Sequence, residues 1–351
     1  MASDIPVYSK QYINGDWVDS TNNTLPDSEK YIDVLDSNTD TVCARVINGS
    51  SADTERAIEA ASAAFKSWSR TTVQERKGYV QKIIQEYMKR QKDVASALQK
   101  ELGAPKFLAE KVQSVMFIAH MSTAIQVAEQ CEWKEDVGES IIVKEPIGVV
   151  GAITPWNWPL NQIGCKLGPA LMSGCTVVLK PSEVTPINAY LVAEAIHASG
   201  LPKGVFNMVC GKGKACGEIL AKHPKVDMVS FTGSTAVGRH LHALGAQQIK
   251  RVRTELGGKS AAVILDDATP EQIGLMAGNV LGNTGQSCNA LSRMIVPKSR
   301  YDECCQIAKA TFESVKVTEP GNPNASKIDI GPLSSREQQK KSYWLHSKGY
   351  R

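Results

Sequence analysis

Val149-Val150-Gly151-Ala152-Ile153 opens the stretch that decides the fold. It is strand-like, and four further strand-like runs follow at 176–179, 205–209, 226–231 and 251–256. Helical stretches lie among them at 186–199, 214–222 and 235–246. Strands that alternate with helices at this spacing predict a parallel sheet covered by helices. The expected class is therefore α/β, with a Rossmann-like doubly wound domain that takes nucleotides at the carboxyl ends of its strands.

Outward from that core, a second α/β unit begins near Gly258, with strand-like runs at 261–265 and 293–296 and helical runs at 272–281 and 301–315. Between its first helix and second strand lies Asn283-Thr284-Gly285-Gln286-Ser287-Cys288-Asn289, a turn that presents one cysteine. Belonging to the second unit, Cys288 is expected to face the first across a cleft, a preferred place for ligands. Free cysteine is usually a small buried hydrophobe, so the turn alone does not make a nucleophile. Upstream, Tyr12-Ile13-Asn14-Gly15-Asp16-Trp17 reads as a hairpin and 42–47 as another extended piece. Amphipathic helices are expected over 50–68, 76–102 and 109–130, where scaffold is the natural reading.

Composition narrows the partners. The 351 residues are long enough for two domains, and 42% hydrophobic with 22% charged content is that of an ordinary globular protein. Forty basic against 36 acidic residues, a net +4, offer no basic stripe for nucleic acid. No apolar run is long enough to span a bilayer, and Met1 to Pro6 lacks the marks of a secretory signal. Nine cysteines without a CxxC pair, and six histidines without ligand spacing, predict no metal site and a reducing, cytoplasmic compartment. His240 and His242 are read as flanking a helix face, and Cys304-Cys305 as buried thiols.

Five short motifs carry chemistry. Pro155-Trp156-Asn157-Trp158-Pro159 fixes a carboxamide between two prolines and two indoles, as an oxyanion hole needs, though a rigid aromatic turn would read the same. Lys180-Pro181-Ser182-Glu183 follows a strand, where lysine and glutamate can both reach ribose hydroxyls or simply sit in an exposed turn. Phe231-Thr232-Gly233-Ser234 precedes a helix, with Gly233 allowing a tight turn and Ser234 available to a phosphate. Its G-x4-G spacing to Gly238 is not the usual fingerprint and could be plain punctuation. Glu255-Leu256-Gly257-Gly258 sets a carboxylate at a strand end, a general base if an apolar cleft raises its pKa and a solvated side chain otherwise. The glycine run Gly211 to Gly217 is set aside because its spacing carries one residue too many.

Together with Gly285-Gln286-Ser287-Cys288, these motifs resemble the aldehyde dehydrogenase superfamily, in its order and spacing, from about Tyr12 onward. The resemblance implies a cofactor domain over 1–125 and 146–257, an oligomerisation hairpin over 126–145 and a catalytic domain over 258–351. It implies that Cys288 attacks an aldehyde carbon, that Asn157 and the Cys288 N–H hold the oxyanion, and that hydride passes to a nicotinamide. Glu255 then activates water against the thioester. Trp156, Lys180, Glu183, Gly233 and Ser234 are the implied cofactor contacts, with NAD favoured over NADP by the Glu183 carboxylate, and no metal. The family continues beyond Arg351 with a Glu-x-Phe-Gly-Pro segment and a C-terminal strand that joins a neighbour's sheet. This chain therefore reads as a C-terminally truncated relative with an incomplete catalytic domain. An alternative is a non-catalytic relative that binds nucleotide or full-length subunits, and cofactor-free esterase chemistry at Cys288 is a lesser one. Which aldehyde is used is not written in these motifs.

Overall fold

A computed structural model describes residues 5–349; Met1 to Asp4 of the N-terminal reading, and Tyr350 and Arg351, lie outside the described residues. At the centre is a seven-stranded sheet. Its strands run in the order Arg251–Leu256, Met228–Gly233, Val149–Ile153, Thr176–Lys180, Phe206–Met208, Lys10–Ile13 and Asp16–Asp19. The first five are parallel to one another, and the last two form an antiparallel hairpin added to the 206–208 edge. Asn14 and Gly15, both with positive φ, make its turn, as the Asn-Gly pair foretold.

Every residue of the 149–153, 176–180 and 206–208 strands is buried, because helices cover both sheet faces. Each fully buried Val, Leu or Ile in such a layer contributes about 1.5–3 kcal/mol. From 149–153 the chain builds outward through 176–180 to 206–208, then crosses back to add 228–233 and 251–256 on the other side. That reversal leaves a crevice at the carboxyl ends of 149–153 and 228–233, the place where doubly wound sheets take ligands.

Sequence periodicity passes over the helix Pro159–Ser173. Most of its residues are buried, and Gly164, Gly168 and Pro169 lower its propensity and read as breakers. It packs along the helix Ser114–Gln130, to which Phe117 and Met121 bring fully buried side chains. The helix expected over 76–102 is instead Val73–Lys89, then Gln91–Ala97, broken at Arg90 where φ is −104° and ψ 5°. A wider, π-type turn follows at Leu98–Leu102 and another at Leu108–Gln113.

Glu101 on the first of these turns is completely buried and accepts hydrogen bonds from Ile187 N (2.8 Å), Asn188 N (3.0 Å) and Asn188 Nδ2 (2.6 Å). It thereby caps the helix Ile187–Ala198, whose own N-cap residue, Pro186, offers no side-chain acceptor. Burial pushes its carboxyl from the ordinary 4.5 up to about 7, against the pull of those donors. The folded state thus keeps a proton that the unfolded chain releases between those values. This contribution is complete below the unfolded pKa and lost as pH rises through the folded one. Urea titrations should show unfolding free energy falling by roughly 3 kcal/mol across that window, and Glu101→Gln should flatten the slope.

The second unit is lighter. A parallel pair, Ala261–Val263 with Arg293–Ile295, is flanked by the helices Pro270–Asn279 and Tyr301–Glu313 around Ile264, Ile273 and Cys304. Cys304 is buried but its neighbour Cys305 is exposed, which corrects the pairing of the two as buried thiols. The hairpin Lys134–Val137 with Ser140–Val143 stands apart as its own two-stranded sheet and exposes Val137, Ile141, Ile142 and Val143.

Candidate active site

At the sheet's reversal lies a cleft of about 380 Å³, lined by Thr154, Pro155, Trp156, Lys180, Glu183 and Gly233 among others. A larger hollow of about 660 Å³ lies behind the cysteine turn, between Phe107, Leu108, Leu275 and Ile330, away from these strand ends. In the smaller cleft the Lys180 Nζ, almost wholly buried, is 2.7 Å from the Glu183 carboxylate. Burial pushes the Glu183 carboxyl up, but the charge and hydrogen bond of Lys180 outweigh it, and the net direction is down.

Gly233 is there for proximity rather than for a turn, since its φ is not positive. A Cβ on it would stand 2.5 Å from the Phe231 ring, and filling that space would close the floor of the cleft. Ser234 is the N-cap of the helix Thr235–Ala246, and its hydroxyl oxygen accepts from Val237 N at 3.3 Å. The cradle offers a pyrophosphate bare backbone and a helix N-terminus, and its two carboxylates, Glu183 and Glu218, are each paired to a lysine, Lys180 and Lys222. Gly213, Lys214 and Gly217, from the glycine run that spacing set aside, also line it. So does His240, whose Nε2 is 3.1 Å from Glu218. The cleft is thus lined from two loops, where a spacing rule describes one.

The cysteine turn adjoins that cleft. Asn283, Thr284 and Gly285 have φ of 54°, 60° and 73°, three consecutive left-handed residues of which only the last is glycine. A β-branched residue there is strained, and the surroundings must hold it. Thr284 Oγ1 donates to Gly331 O (3.1 Å), and Ser334 N donates to Gln286 Oε1 (2.9 Å). The turn ends by exposing Cys288. The two indoles beside Asn157 diverge. Trp156 lines the nucleotide cleft, while Trp158 Nε1 donates to Ser287 Oγ at 2.8 Å. Asn157 Nδ2 donates to Gln286 O at 2.8 Å, so the carboxamide is fixed against the segment that carries the thiol.

Glu255 ends the edge strand of the sheet, in register with Thr232, and is exposed. Among the described residues no apolar enclosure covers it, and water reaches it directly. Beneath it, Thr232 Oγ1 accepts from Lys166 Nζ (2.8 Å) and donates to Gln162 Oε1 (2.8 Å). Burial lowers the pKa of the Lys166 ammonium, against smaller opposing contributions from Cys165 and Glu255. Gly258 closes the arrangement: a Cβ there would be 3.0 Å from Cys288 O, so the second glycine after Glu255 lets two loops touch. Lys166 and Gln162 escaped sequence reading because the helix bearing them was itself unmarked.

A nucleotide cradle at a strand reversal, beside a thiol on a strained turn, defines a two-unit α/β protein of the oxidoreductase class. Residues 24–348 match the aldehyde dehydrogenase family, and the chain belongs to that family. It is accordingly an NAD(P)-dependent enzyme that oxidises aldehydes. A protein of Staphylococcus haemolyticus is 41% identical over 332 residues, which cover 94% of this chain and 68% of that one. The crystal structure of an aldehyde dehydrogenase from Bartonella henselae matches with a TM-score of 0.92 at 39% identity, over 98% of this chain and 71% of its own. A Pseudomonas syringae aldehyde dehydrogenase C variant, complexed with NAD+ and octanal, matches with a TM-score of 0.91 at 37% identity, over 96% and 68%.

Among the described residues, no helix is long and apolar enough to cross a membrane, and no group of three or more His, Cys, Asp or Glu could hold a metal. The Lys180–Glu183 pair bears on cofactor choice. An unpaired carboxylate would repel a 2′-phosphate, whereas one already joined to a lysine repels it less. Glu183→Gln should shift the NAD-to-NADP ratio of kcat/KM by about tenfold toward NADP, read from initial rates with either cofactor.

Proposed function

We propose that Cys288, Asn157 and Glu255 divide the oxidation of an aldehyde between them, with the carboxylic acid as product. The Cys288 thiolate adds to the aldehyde carbon, forming the C–S bond as the carbonyl π electrons move to oxygen. The resulting alkoxide is stabilised by a Asn157 N–H and by the Cys288 backbone N–H. NAD(P)+, when bound, supplies the hydride acceptor. Loss of hydride turns the tetrahedral adduct into a thioester on Cys288. Glu255 takes a proton from water, whose oxygen attacks the thioester and releases the acid and the thiolate.

Trp156, Lys180, Glu183, Gly233 and Ser234 would hold the cofactor, with Gly213, Lys214 and Gly217 closing the cradle. The observation that carries this reading is the Asn157–Gln286 hydrogen bond, which ties an oxyanion donor from the first unit to the turn bearing the thiol.

The units at 1–125 with 146–257 and at 258–351 then serve as cofactor and catalytic domains, with 126–145 as an oligomerisation hairpin. The exposed Val137, Ile141, Ile142 and Val143 support the last assignment: four apolar side chains on a small sheet gain by burial against a second copy. The free thiols support a reducing, cytoplasmic setting.

The test is NADH formation by the purified chain with a panel of aliphatic, aromatic and hydroxylated aldehydes. Turnover with at least one supports the reading. NAD binding without turnover on any would leave a nucleotide-binding relative instead.

A further inference from the structure

We propose that Gln113 and Asn283 are positioning residues, whose carboxamides lock Asn157 and the Cys288 turn together so that one Asn157 N–H is aimed at the oxyanion. The inference rests on the catalytic reading above and extends it to two side chains that touch neither substrate nor cofactor.

Four amide residues form the lock, drawn from three separate parts of the chain. Gln113 ends the π-type turn Leu108–Gln113 and is completely buried, and Asn283 is 5% exposed. Gln113 Nε2 donates to Asn157 O (3.2 Å) and to Asn283 Oδ1 (3.3 Å). Asn283 Nδ2 donates to Asn157 O (2.8 Å) and to Gln286 O (3.3 Å). Asn157 Nδ2 donates to Gln286 O (2.8 Å).

Capacity decides what this arrangement does. A carbonyl oxygen accepts two hydrogen bonds and an amide nitrogen donates two. Both protons of Gln113 Nε2 and both of Asn283 Nδ2 are committed, as are both acceptor positions of the Asn157 and Gln286 backbone carbonyls. Reversing either the Gln113 or the Asn283 carboxamide would set oxygen against oxygen, so each has one orientation. Within the lock, the second proton of Asn157 Nδ2 is the donor left over. Since the carboxamide is planar and its first N–H is fixed on Gln286 O, the direction of the second is fixed as well. An oxyanion hole needs such a donor, oriented before charge develops and held where the dielectric is low.

Asn283 has a second task. Asparagine tolerates the left-handed conformation better than most residues, so its backbone starts the strained turn while its side chain anchors it. A merely structural side chain would need only the first property.

Two reactions at Cys288 separate positioning from general integrity, and neither needs bound cofactor. In acylation by 4-nitrophenyl acetate, the thiolate attacks the ester carbonyl, an oxyanion forms, and 4-nitrophenolate leaves. In alkylation by iodoacetamide, the thiolate displaces iodide and no oxyanion arises. For Gln113→Leu and Asn283→Asp, acylation should fall about 100-fold while Cys288 alkylation, followed by mass spectrometry, stays within about threefold of wild type.

NAD affinity, measured in parallel, should be unchanged because the cradle lies outside the lock. Asn283→Gly accepts the backbone conformation without supplying the amide, and should show the same selective loss. It also carries the test should a bulkier variant fail to bind NAD. Acylation at the wild-type rate in Asn283→Gly, or a parallel fall of acylation and alkylation, would overturn the positioning role. A wild-type chain that is alkylated but never acylated would instead remove the catalytic reading, and this proposal with it.

Discussion

Cys288→Ala is expected to lower aldehyde-dependent NADH formation by about four orders of magnitude, to the limit of detection, while NAD binding persists. The size of the effect follows from the absence of a substitute nucleophile. Cys175, Cys210, Cys216 and Cys304 are buried, and Cys43, Cys131 and Cys165 are half-buried, burial raising the thiols of Cys43 and Cys165. Burial pushes the Cys210 thiol up to about 12 and raises that of Cys216 as well, so neither is a thiolate at neutral pH. Cys305 is exposed but lies on the helix Tyr301–Glu313, away from the nucleotide cleft. Cys288 alone combines exposure with a turn tied to Asn157 and Trp158. The cleft we propose to hold NAD is lined by no residue of that turn, so affinity should stay within about twofold by fluorescence titration. A residual rate of even about one per cent would mean that another group forms the covalent bond.

Glu255→Gln should separate the two halves of the reaction. Thiol addition and loss of hydride need Cys288 and Asn157, so a first equivalent of NADH should form as a burst. The following steady state should be slower by about 100- to 1,000-fold, because the water that attacks the thioester loses its base. Stopped-flow mixing at saturating aldehyde would read both phases, and mass spectrometry would find the acyl group on Cys288. Exposure of Glu255 supports a role at the wet end of the cycle, where solvent is the reactant. An unchanged steady rate, or loss of the burst itself, would take the general-base role from this residue.

How much of this was legible in the sequence differs by element. The alternation from Val149 to Leu256 foretold the parallel sheet, since strands buried on both faces must be nearly all apolar. The motifs at Asn157, Lys180, Gly233, Glu255 and Cys288 lie where the sheet's carboxyl ends and the facing turn converge. The helix Pro159–Ser173 stayed hidden because Pro159, Gly164, Gly168 and Pro169 read as breakers rather than as a helix. With it were hidden Gln162 and Lys166. Gln113 went unread, and Asn283 was read only as part of the cysteine turn, for another reason. Each is an unremarkable amide until the fold places it beside a residue more than a hundred positions away. The role of Gly233 was read as a turn and proved to be close approach to Phe231, a contact that no spacing rule contains.

The amide lock joins position 113 to 283 and position 157 to both 283 and 286. Contacts of such sequence separation close very large loops, and their entropy must be met before they yield any stabilisation. They are therefore expected to form late in folding, after both α/β units have condensed. A chain still emerging from synthesis, or partly unfolded, has its thiol but no aimed oxyanion donor. On that order the oxyanion donor is aimed only once the long-range contacts close, so a half-folded copy should react with acyl donors about as slowly as a variant without the lock.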